Sequence, residues 1–476
     1  MTDARWDKST DLKDGVQLDS RRRESDVRLL LLLAAPNVAS TAAESLMSFV
    51  DFAIVSKLGP EAQAAVSSAS IVYFSVFGFV LGVMVCVTTL VSQSLGAGRL
   101  RDCSVYGWQG VWFSALFGLL GLALWPTLGT LFAVIGHEPV VQTMEVEYAR
   151  IRLLGLAASG AAVGLGHFFN GIHQPRHNAY SVVATTILNG ILSYALVLGR
   201  WGMPAMGVAG AALGSVIANV VRVLWLMSVM CWSSKTREFE ARHTWRIRVD
   251  KMRRLVRVGW PAGVSVMMDI SAWAVLLTFI VGRFGTYHLA ASATCWRFID
   301  LSFMPAIGIG QAICTMVGRA IGEGRNNVAR RRAMLGAVLN VTYMGAMGIV
   351  FVLFGTELMS LFSNRQEVIE VGVQLLILAA VFQVFDAIAI TYSHALRGAG
   401  DTLWPAVVSA VLVWVLMVGG AMVTVYVRPD WGACGPWGLA TVFVTIIGVV
   451  FAVRWRRGAW EKFDVIGRPL DETPKG

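Results

Sequence analysis

The chain has 476 residues, 56% of them hydrophobic and only 15% charged, with a mean hydropathy of +0.62, which excludes a soluble globular protein of this size. Its apolar segments run unbroken for about 18 residues or more, so the class is a polytopic helical membrane protein and not an outer-membrane barrel of alternating strands. The net charge of +10 comes from Lys and Arg grouped in alternate connecting segments, a pattern of membrane orientation and not of nucleic-acid binding.

In chain order, residues 1–26 are polar and mixed in charge and are expected to be a solvated, poorly ordered cytoplasmic tail with no cleavable signal. Twelve spans are predicted near 27–55, 62–95, 104–135, 141–169, 178–199, 205–232, 260–282, 287–320, 332–354, 367–397, 403–427 and 435–454. The basic segments (Arg21–Arg23 and Arg28, Arg99 and Arg101, Arg176, the stretch Lys235 to Arg257, Arg325 and Arg330–Arg332, Arg454 to Arg457) all fall on one side. The positive-inside rule then places the chain in the inner (plasma) membrane with both termini cytoplasmic. Residues 233–259 read as a basic cytoplasmic linker lying on anionic lipid, and 455–476 as a second tail. The six cysteines are scattered, mostly in apolar spans, and suggest neither disulfides nor zinc.

The halves repeat. Leu90-Val91-Ser92-Gln93-Ser94-Leu95-Gly96-Ala97-Gly98-Arg99 recurs as Thr315 to Arg325, a shift of about 226, and Pro36 and Glu44 map onto Pro261 and Asp269. Lys57-Leu58-Gly59 likewise maps onto Arg283-Phe284-Gly285, and Asn170-Gly171 onto Arg397-Gly398. Six spans per half enter the membrane the same way, so the predicted fold is all-α, with two six-helix lobes (27–232 and 260–454) related by a pseudo-two-fold axis along the membrane normal. A duplicated channel would carry the same trace.

Acids inside the spans are the candidate functional groups. Asp386 interrupts the apolar run Leu375–Ile390, where an ionised carboxylate costs about 2.5–3.5 kcal/mol on insertion scales and usually faces a cavity. Glu44 and Asp51 are seven residues apart, nearly two helical turns, and so project from one face of the first span. Arg297 and Asp300 are spaced to pair on one face, and Arg222 is a possible partner for an acid. Trp273 and the 19 Met read first as packing, His394 as a helix-end histidine and not a proton relay, and His167, His173 and His177 show no metal geometry. No Walker loop, nucleophile–base set or metal motif suggests an enzyme or an ATP-driven pump.

Several stretches resemble the multidrug and toxic compound extrusion (MATE) family across roughly residues 27–455. They are Phe49-Val50-Asp51 leading to Leu58-Gly59, Ser92 to Gly98, Gly207 to Ala212, and Leu396-Arg397-Gly398-Ala399-Gly400-Asp401. The resemblance implies a secondary antiporter, working by alternating access as a monomer among membrane lipids, that exports organic cations or drugs against inward sodium or protons without a cofactor. An acid at Asp269 and another at Asp386 resemble the NorM-type branch and imply a C-lobe site for sodium and substrate in which the two acids share a cation. Asp51, Glu44 and Asn189 are the implied N-lobe ion-coupling site. Two positions depart from the pattern: Phe382 stands where that branch often has Tyr, and Ser193 where an acid is expected. A lipid-linked oligosaccharide flippase is the first alternative, but its cavity should present cations to a pyrophosphate, and this chain offers acids. A cation channel or sensor is the second.

Overall fold

Each half begins with the same backbone device. The computed structural model describes residues 8–467, with side chains from Ser25 onward. Gly59 and Gly285, the turn residues of the repeated Lys/Arg-Leu/Phe-Gly motif, take φ 109° and 102° with ψ 172° and 174°, a conformation that glycine alone adopts without strain. Gly98 and Gly324, closing the second repeated motif, share φ 73°. The duplication read from the sequence is thus written into matching backbone angles.

Twelve spans follow if a bent pair is taken as one. In the first half they are α1 (Lys8–Val55), α2 (Pro60–Gly96), α3 (Leu100–Leu122), the pair α5 (Pro139–Leu154) and α6 (Leu156–Gly171), α7 (Pro175–Leu198) and α8 (Gly207–Trp232), with a short α4 (Leu128–Ile135) outside the count. In the second half they are α9 (Val249–Ala274) with its π and 3-10 extension to Phe284, α10 (Thr286–Gly322), α11 (Asn326–Leu353), α13 (Gln366–Ala399), the span Leu403–Val427, and α16 (Cys434–Arg456). A short α12 (Gly355–Ser360) precedes α13, and the span Leu403–Val427 comprises α14 (Leu403–Val411), a π-helical stretch and α15 (Gly420–Val427). Pro60, Pro139 and Pro175 each open a helix, where the missing N–H is no loss.

Two local expectations change. The third span ends at Leu122, and 128–135 is a separate short helix, because Trp125-Pro126 interrupts the apolar run. The fourth is broken by 48° at Gly155, whose backbone lies against Val216. Of the polar tail, residues 1–7 lie outside the described residues, and Lys8 already opens α1. The basic linker is held on protein. Trp108 and Trp112 donate their indole N–H groups to the carbonyls of Ala241 and Trp245 (2.8 and 2.7 Å), and Ser104 donates to that of Phe239 (2.6 Å). Residues 468–476 of the C-terminal tail also lie outside the described residues.

The hydrophobic cores do not divide where the sequence repeats do. Leu30, Leu33 and Ala34 of α1 belong to the core built mainly by the second half. Leu255, Val258 and Ala262 of α9 belong to that of the first. The exchange occurs at the end where both described termini lie, and there the lobes meet backbone to backbone. A Cβ on Gly322 would stand 2.1 Å from the Gln93 carbonyl oxygen, one on Gly96 2.2 Å from that of Arg319, and one on Gly82 2.5 Å from that of Ala262. Small residues permit such approach in membranes, where packing and not the hydrophobic effect joins helices. Hydrogen bonds cross the same seam: Thr89 Oγ1 to the Arg397 carbonyl and Gln93 Nε2 to that of Gly398 (both 2.9 Å), and Thr41 Oγ1 to that of Met304 (3.0 Å). Among the described residues these cross-lobe hydrogen bonds lie between mid-depth and the termini end. Toward the other end, the contact of Arg297 over the Phe52 ring, 5.6 Å from its centroid, joins the lobes.

Gly82→Ala is therefore expected to lower the thermal midpoint of the purified protein by several degrees, overpacking costing about 1–3 kcal/mol. Gly438→Ala, with nothing within 4 Å of the added carbon, should leave it unchanged. Equal midpoints for the two variants would show that the seam yields without cost.

Candidate ion and substrate sites in the two lobes

In the N-lobe, α1 carries Asp51 near its far end, opposite α7 and α8. Ser193 donates to Asp51 Oδ1 at 2.9 Å and Ser215 to Oδ2 at 3.5 Å, while Asn189 donates from Nδ2 to Ser215 Oγ at 3.1 Å. Asn189 and Ser193 are fully buried and four residues apart on α7, so one face of that helix presents both. The structure thus brings Asp51 and Asn189 together through Ser215. Ser193, which stands where the family pattern has an acid, is a hydrogen-bond donor to Asp51 and not a second charge.

Glu44 takes a different partner. Its carboxylate accepts from Arg222 Nη1 at 3.2 Å, and Arg222 Nη2 donates to Asn178 Oδ1 at 3.0 Å. Arg222 is buried and Glu44 is half exposed, so the pair joins a desolvated cation to an acid at the surface of the lobe. The one-face spacing of Glu44 and Asp51 does not give them a common partner.

Sequence reasoning missed Arg152. It lies in α5 beside the break in the fourth span, its guanidinium 4.2 Å from the centroid of the Tyr73 ring and within electrostatic reach of Asp51. Its signal in the sequence was a second Arg, two residues after Arg150, inside the predicted fourth span. Glu145, on the same helix, is fully buried and bonded through Oε1 to His137 Nδ1 at 2.7 Å.

The C-lobe acids are solvated by nothing comparable. Asp386 is 8% exposed and, among the described residues, its carboxylate makes no hydrogen bond, with Oδ2 buried and unpaired. One turn earlier on α13, Gln383 donates to Ser302 Oγ and leaves Oε1 unpaired. Asn340 of α11 donates to Thr391 Oγ1 at 3.0 Å and leaves Oδ1 unpaired. Gln383 and Thr391 are separated by about two turns of α13, so three acceptor oxygens without donors lie along one stretch of the lobe.

Asp269 on α9 is partly buried and also makes no hydrogen bond among the described residues. No polar contact joins it to Asp386. What joins their helices is aromatic: Trp273 meets Phe382 edge to face at 6.1 Å, and Trp296 and Trp437 flank Trp273 at 4.6 and 6.5 Å. Trp273 follows Asp269 by four residues on α9, and Phe382 precedes Asp386 by four on α13, which runs the opposite way. Both acids therefore lie about 6 Å from the ring contact, toward the termini end, at matching depth. Phe382, in place of a hydroxyl-bearing ring, contributes to this aromatic cover and not to a polar site. Trp273 packs in the cluster, as the packing reading expected.

The remaining polar expectations resolve locally. Arg297 and Asp300 form no ion pair in the structure; Arg297 lies over Phe52 of the other lobe instead. His394 donates from Nδ1 to the Ile390 carbonyl at 2.8 Å, an ordinary helix-end bond. His173, in the turn between α6 and α7, is pushed down to about 3 by burial and by Arg319 and Arg332, so it is neutral near pH 7. Among the described residues no three His, Cys, Asp or Glu side chains converge as metal ligands, so a cation at Asp386 would be held by one carboxylate and neutral oxygens.

Two six-helix lobes, locked at one end and carrying buried acids at mid-depth, define the fold class of secondary transporters built from repeats. The MatE family model matches residues 36–195 and 261–423, and the chain belongs to that family. It is 27% identical over 432 residues to the probable multidrug resistance protein NorM of Bradyrhizobium diazoefficiens, covering 90% of this chain and 92% of that protein. It is 30% identical over 438 residues to the protein of the same name in Deinococcus radiodurans, covering 90% and 95%. Among solved structures, the outward-facing conformation of a multidrug resistance MATE family transporter of the MOP superfamily superposes with a TM-score of 0.83 at 20% identity, covering 92% of this chain and 97% of that one. A MOP superfamily transporter from Pyrococcus furiosus gives 0.82 at 20% identity over the same shares.

The Glu44–Arg222 pair can be weighed directly. Glu44→Gln leaves a buried guanidinium without its counter-charge and is expected to destabilise the protein by about 1–2 kcal/mol. Adding Arg222→Met should recover most of that loss. A double variant less stable than Glu44→Gln alone in thermal unfolding would mean Arg222 holds the lobe through Asn178 and not through Glu44.

Proposed function

We propose that this protein is a multidrug efflux antiporter that exports organic cations from the cytoplasm across the inner membrane in exchange for inward sodium, with the coupling ion taken at Asp386. The carrying observation is the unpaired Oδ2 of buried Asp386, with Gln383 Oε1, three residues earlier on α13, also unpaired. A proton would satisfy one of these oxygens. A sodium ion, which takes several oxygen ligands and needs no donor, satisfies more than one. Asp51, in contrast, already receives two serine hydroxyls and lies within reach of the Arg152 charge. Asp51 thus has partners without an ion, which favours the C-lobe for coupling and leaves Asp51, Asn189 and Glu44 to substrate or proton binding. Asp269, one turn from Trp273, supplies a negative wall and an aromatic face suited to a cationic drug. The NorM relatives carry multidrug resistance in their names, and the acidic spans of this chain suit the same cargo.

Alternating access is supported by how the seam is locked. Lys251, at the start of α9, pairs with Asp102 at the start of α3 at 2.6 Å. Asp26, near the start of the first span, pairs with Arg331 and with Arg332 at 3.2 Å, at the start of α11. The repeat relates the two pairs, with the charges exchanged between partners. Both must part for the termini end to open, and both are largely desolvated, so each contributes to the barrier. The density of Arg and Lys at this end gives it the cytoplasmic side.

In liposomes loaded with ethidium, an imposed sodium gradient is expected to drive dye movement, and Asp386→Asn should abolish it at equal reconstitution. Movement under a proton gradient alone would overturn sodium coupling and move the coupling site to Asp51. Wild-type behaviour of Asp386→Asn would overturn the assignment of Asp386. No movement under either gradient would overturn the export of organic cations.

Cys86 and Cys314 lie buried in the seam and are free thiols, which makes them reporters of its opening. With the other four cysteines replaced by Ala, Lys251→Met combined with Asp26→Asn should speed their labelling by a membrane-permeant maleimide about tenfold or more, by mass spectrometry. Unchanged labelling would show that the ion pairs do not hold the seam.

A further inference from the structure

We propose that a groove at the termini end of α1 and α7 is a binding site for one anionic phospholipid. The groove has a volume of about 740 Å³. Its floor is apolar, formed by Leu31, Leu32 and Ala35 of α1 together with Pro36, and its charged groups are Arg28 and Arg176. Leu31 and Leu32 are 50% and 46% exposed, so α1 leaves this face uncovered by protein.

Several arginines of that end are paired with acids. Arg330 bonds Glu461, Arg331 and Arg332 bond Asp26, Arg319 and Arg325 bond Glu323, Arg101 bonds Glu240, and Arg454 bonds Asp401. Arg28 and Arg176 have neither an acid nor another polar partner among the described residues, and both are exposed. Arg176 is the second residue of α7, a 24-residue helix whose first turn receives no side-chain cap from Gln174. Two unpaired guanidinium groups and an uncapped helix start therefore favour an anion here.

An anion alone does not account for the floor. Eight residues separate Arg28 from Pro36, about 12 Å along the helix, so apolar surface continues from the charged mouth toward the membrane interior. A phosphate attached to an acyl chain fills both parts, whereas a free phosphate or a soluble acidic peptide leaves the apolar part empty. Guanidinium groups at the cytoplasmic edge of a span pair bidentately with a phosphodiester, and a headgroup with no cation of its own keeps the pairing uncompensated. Phosphatidylglycerol meets that description and phosphatidylcholine does not.

Native mass spectrometry of the full chain, released from micelles doped equally with phosphatidylglycerol and phosphatidylcholine, tests the site. Wild type should retain one phosphatidylglycerol in preference to phosphatidylcholine. Arg28→Gln combined with Arg176→Gln should weaken that retention about twenty-five-fold, about fivefold for each cation removed. Arg237→Gln with Arg246→Gln, an equal charge change in the linker, should leave it intact. Leu32→Glu, which places a negative charge in the floor, should also expel the lipid. Equal retention of both lipids, or retention that survives the Arg28/Arg176 change, would overturn the proposal. So would equal loss in the linker variant, which would mark a diffuse charge effect. Thermal midpoints matching wild type certify that the variants fold.

Discussion

The close approach of α2 to α9 and α10 governs the rest of the molecule. Gln93 and Gly322 meet through main-chain atoms, and so do Gly96 and Arg319, because neither glycine has a Cβ to hold the helices apart. At that separation the Thr89 and Gln93 side chains reach carbonyls on α13, at Arg397 and Gly398, which are the last residues of the helix that carries Asp386. The seam therefore fixes the termini end of α13, and with it the position of Asp386 about three turns away. Opening the seam would release both, which is the physical route by which the coupling proposed at Asp386 would bear on access at the termini end.

The lobes descend from one repeat yet solve the problem of a buried acid differently. The N-lobe satisfies Asp51 with hydroxyls and an amide network and answers Glu44 with Arg222. In the C-lobe, Asp386, Gln383 and Asn340 each keep a buried oxygen without a donor. A satisfied carboxylate is a stable polar anchor. An unsatisfied one at low dielectric is stable only when something positive arrives. Duplication followed by divergence has thus separated a rigid polar cluster from a responsive one within the same architecture.

How much of this was legible in the sequence depends on distance along the chain. The spans, the repeat, and the acids inside apolar runs are local patterns, and the twelve spans agree with them apart from the first and seventh, whose helices begin early at Lys8 and at Val249 inside the predicted linker, the third, which stops at Leu122, and the fourth, which bends at Gly155. Gly59 and Gly285, or Gly98 and Gly324, could be matched by motif, and their φ angles follow. Partnerships between spans were not legible. Arg297 and Asp300 have the right spacing to pair on a helix, but Phe52 from the other lobe offers Arg297 a ring face instead. The spacing of Glu44 and Asp51 put them on one face without revealing that Arg222 and Ser193 would take one each. The partners of Arg152 were not legible, since Tyr73 and Asp51 come from other helices.

The exchange of helix ends between cores explains why the linker can be both long and fixed. α9 begins inside the N-lobe core at Leu255 and Val258 before crossing to its own lobe, as α1 begins inside the C-lobe core at Leu30 and Leu33. Each lobe thus holds the root of the other's first helix, and a rigid-body separation at the termini end cannot proceed without bending or withdrawing those roots. Pro36 and Pro261 lie a short way beyond them, each removing one hydrogen bond from the helix ladder. Weakening the ladder at those two places lets a root remain seated while the helix above it tilts. The same geometry makes the groove beside Pro36 a point where whatever occupies it bears on the flexure of α1, and through α1 on Glu44 and Asp51.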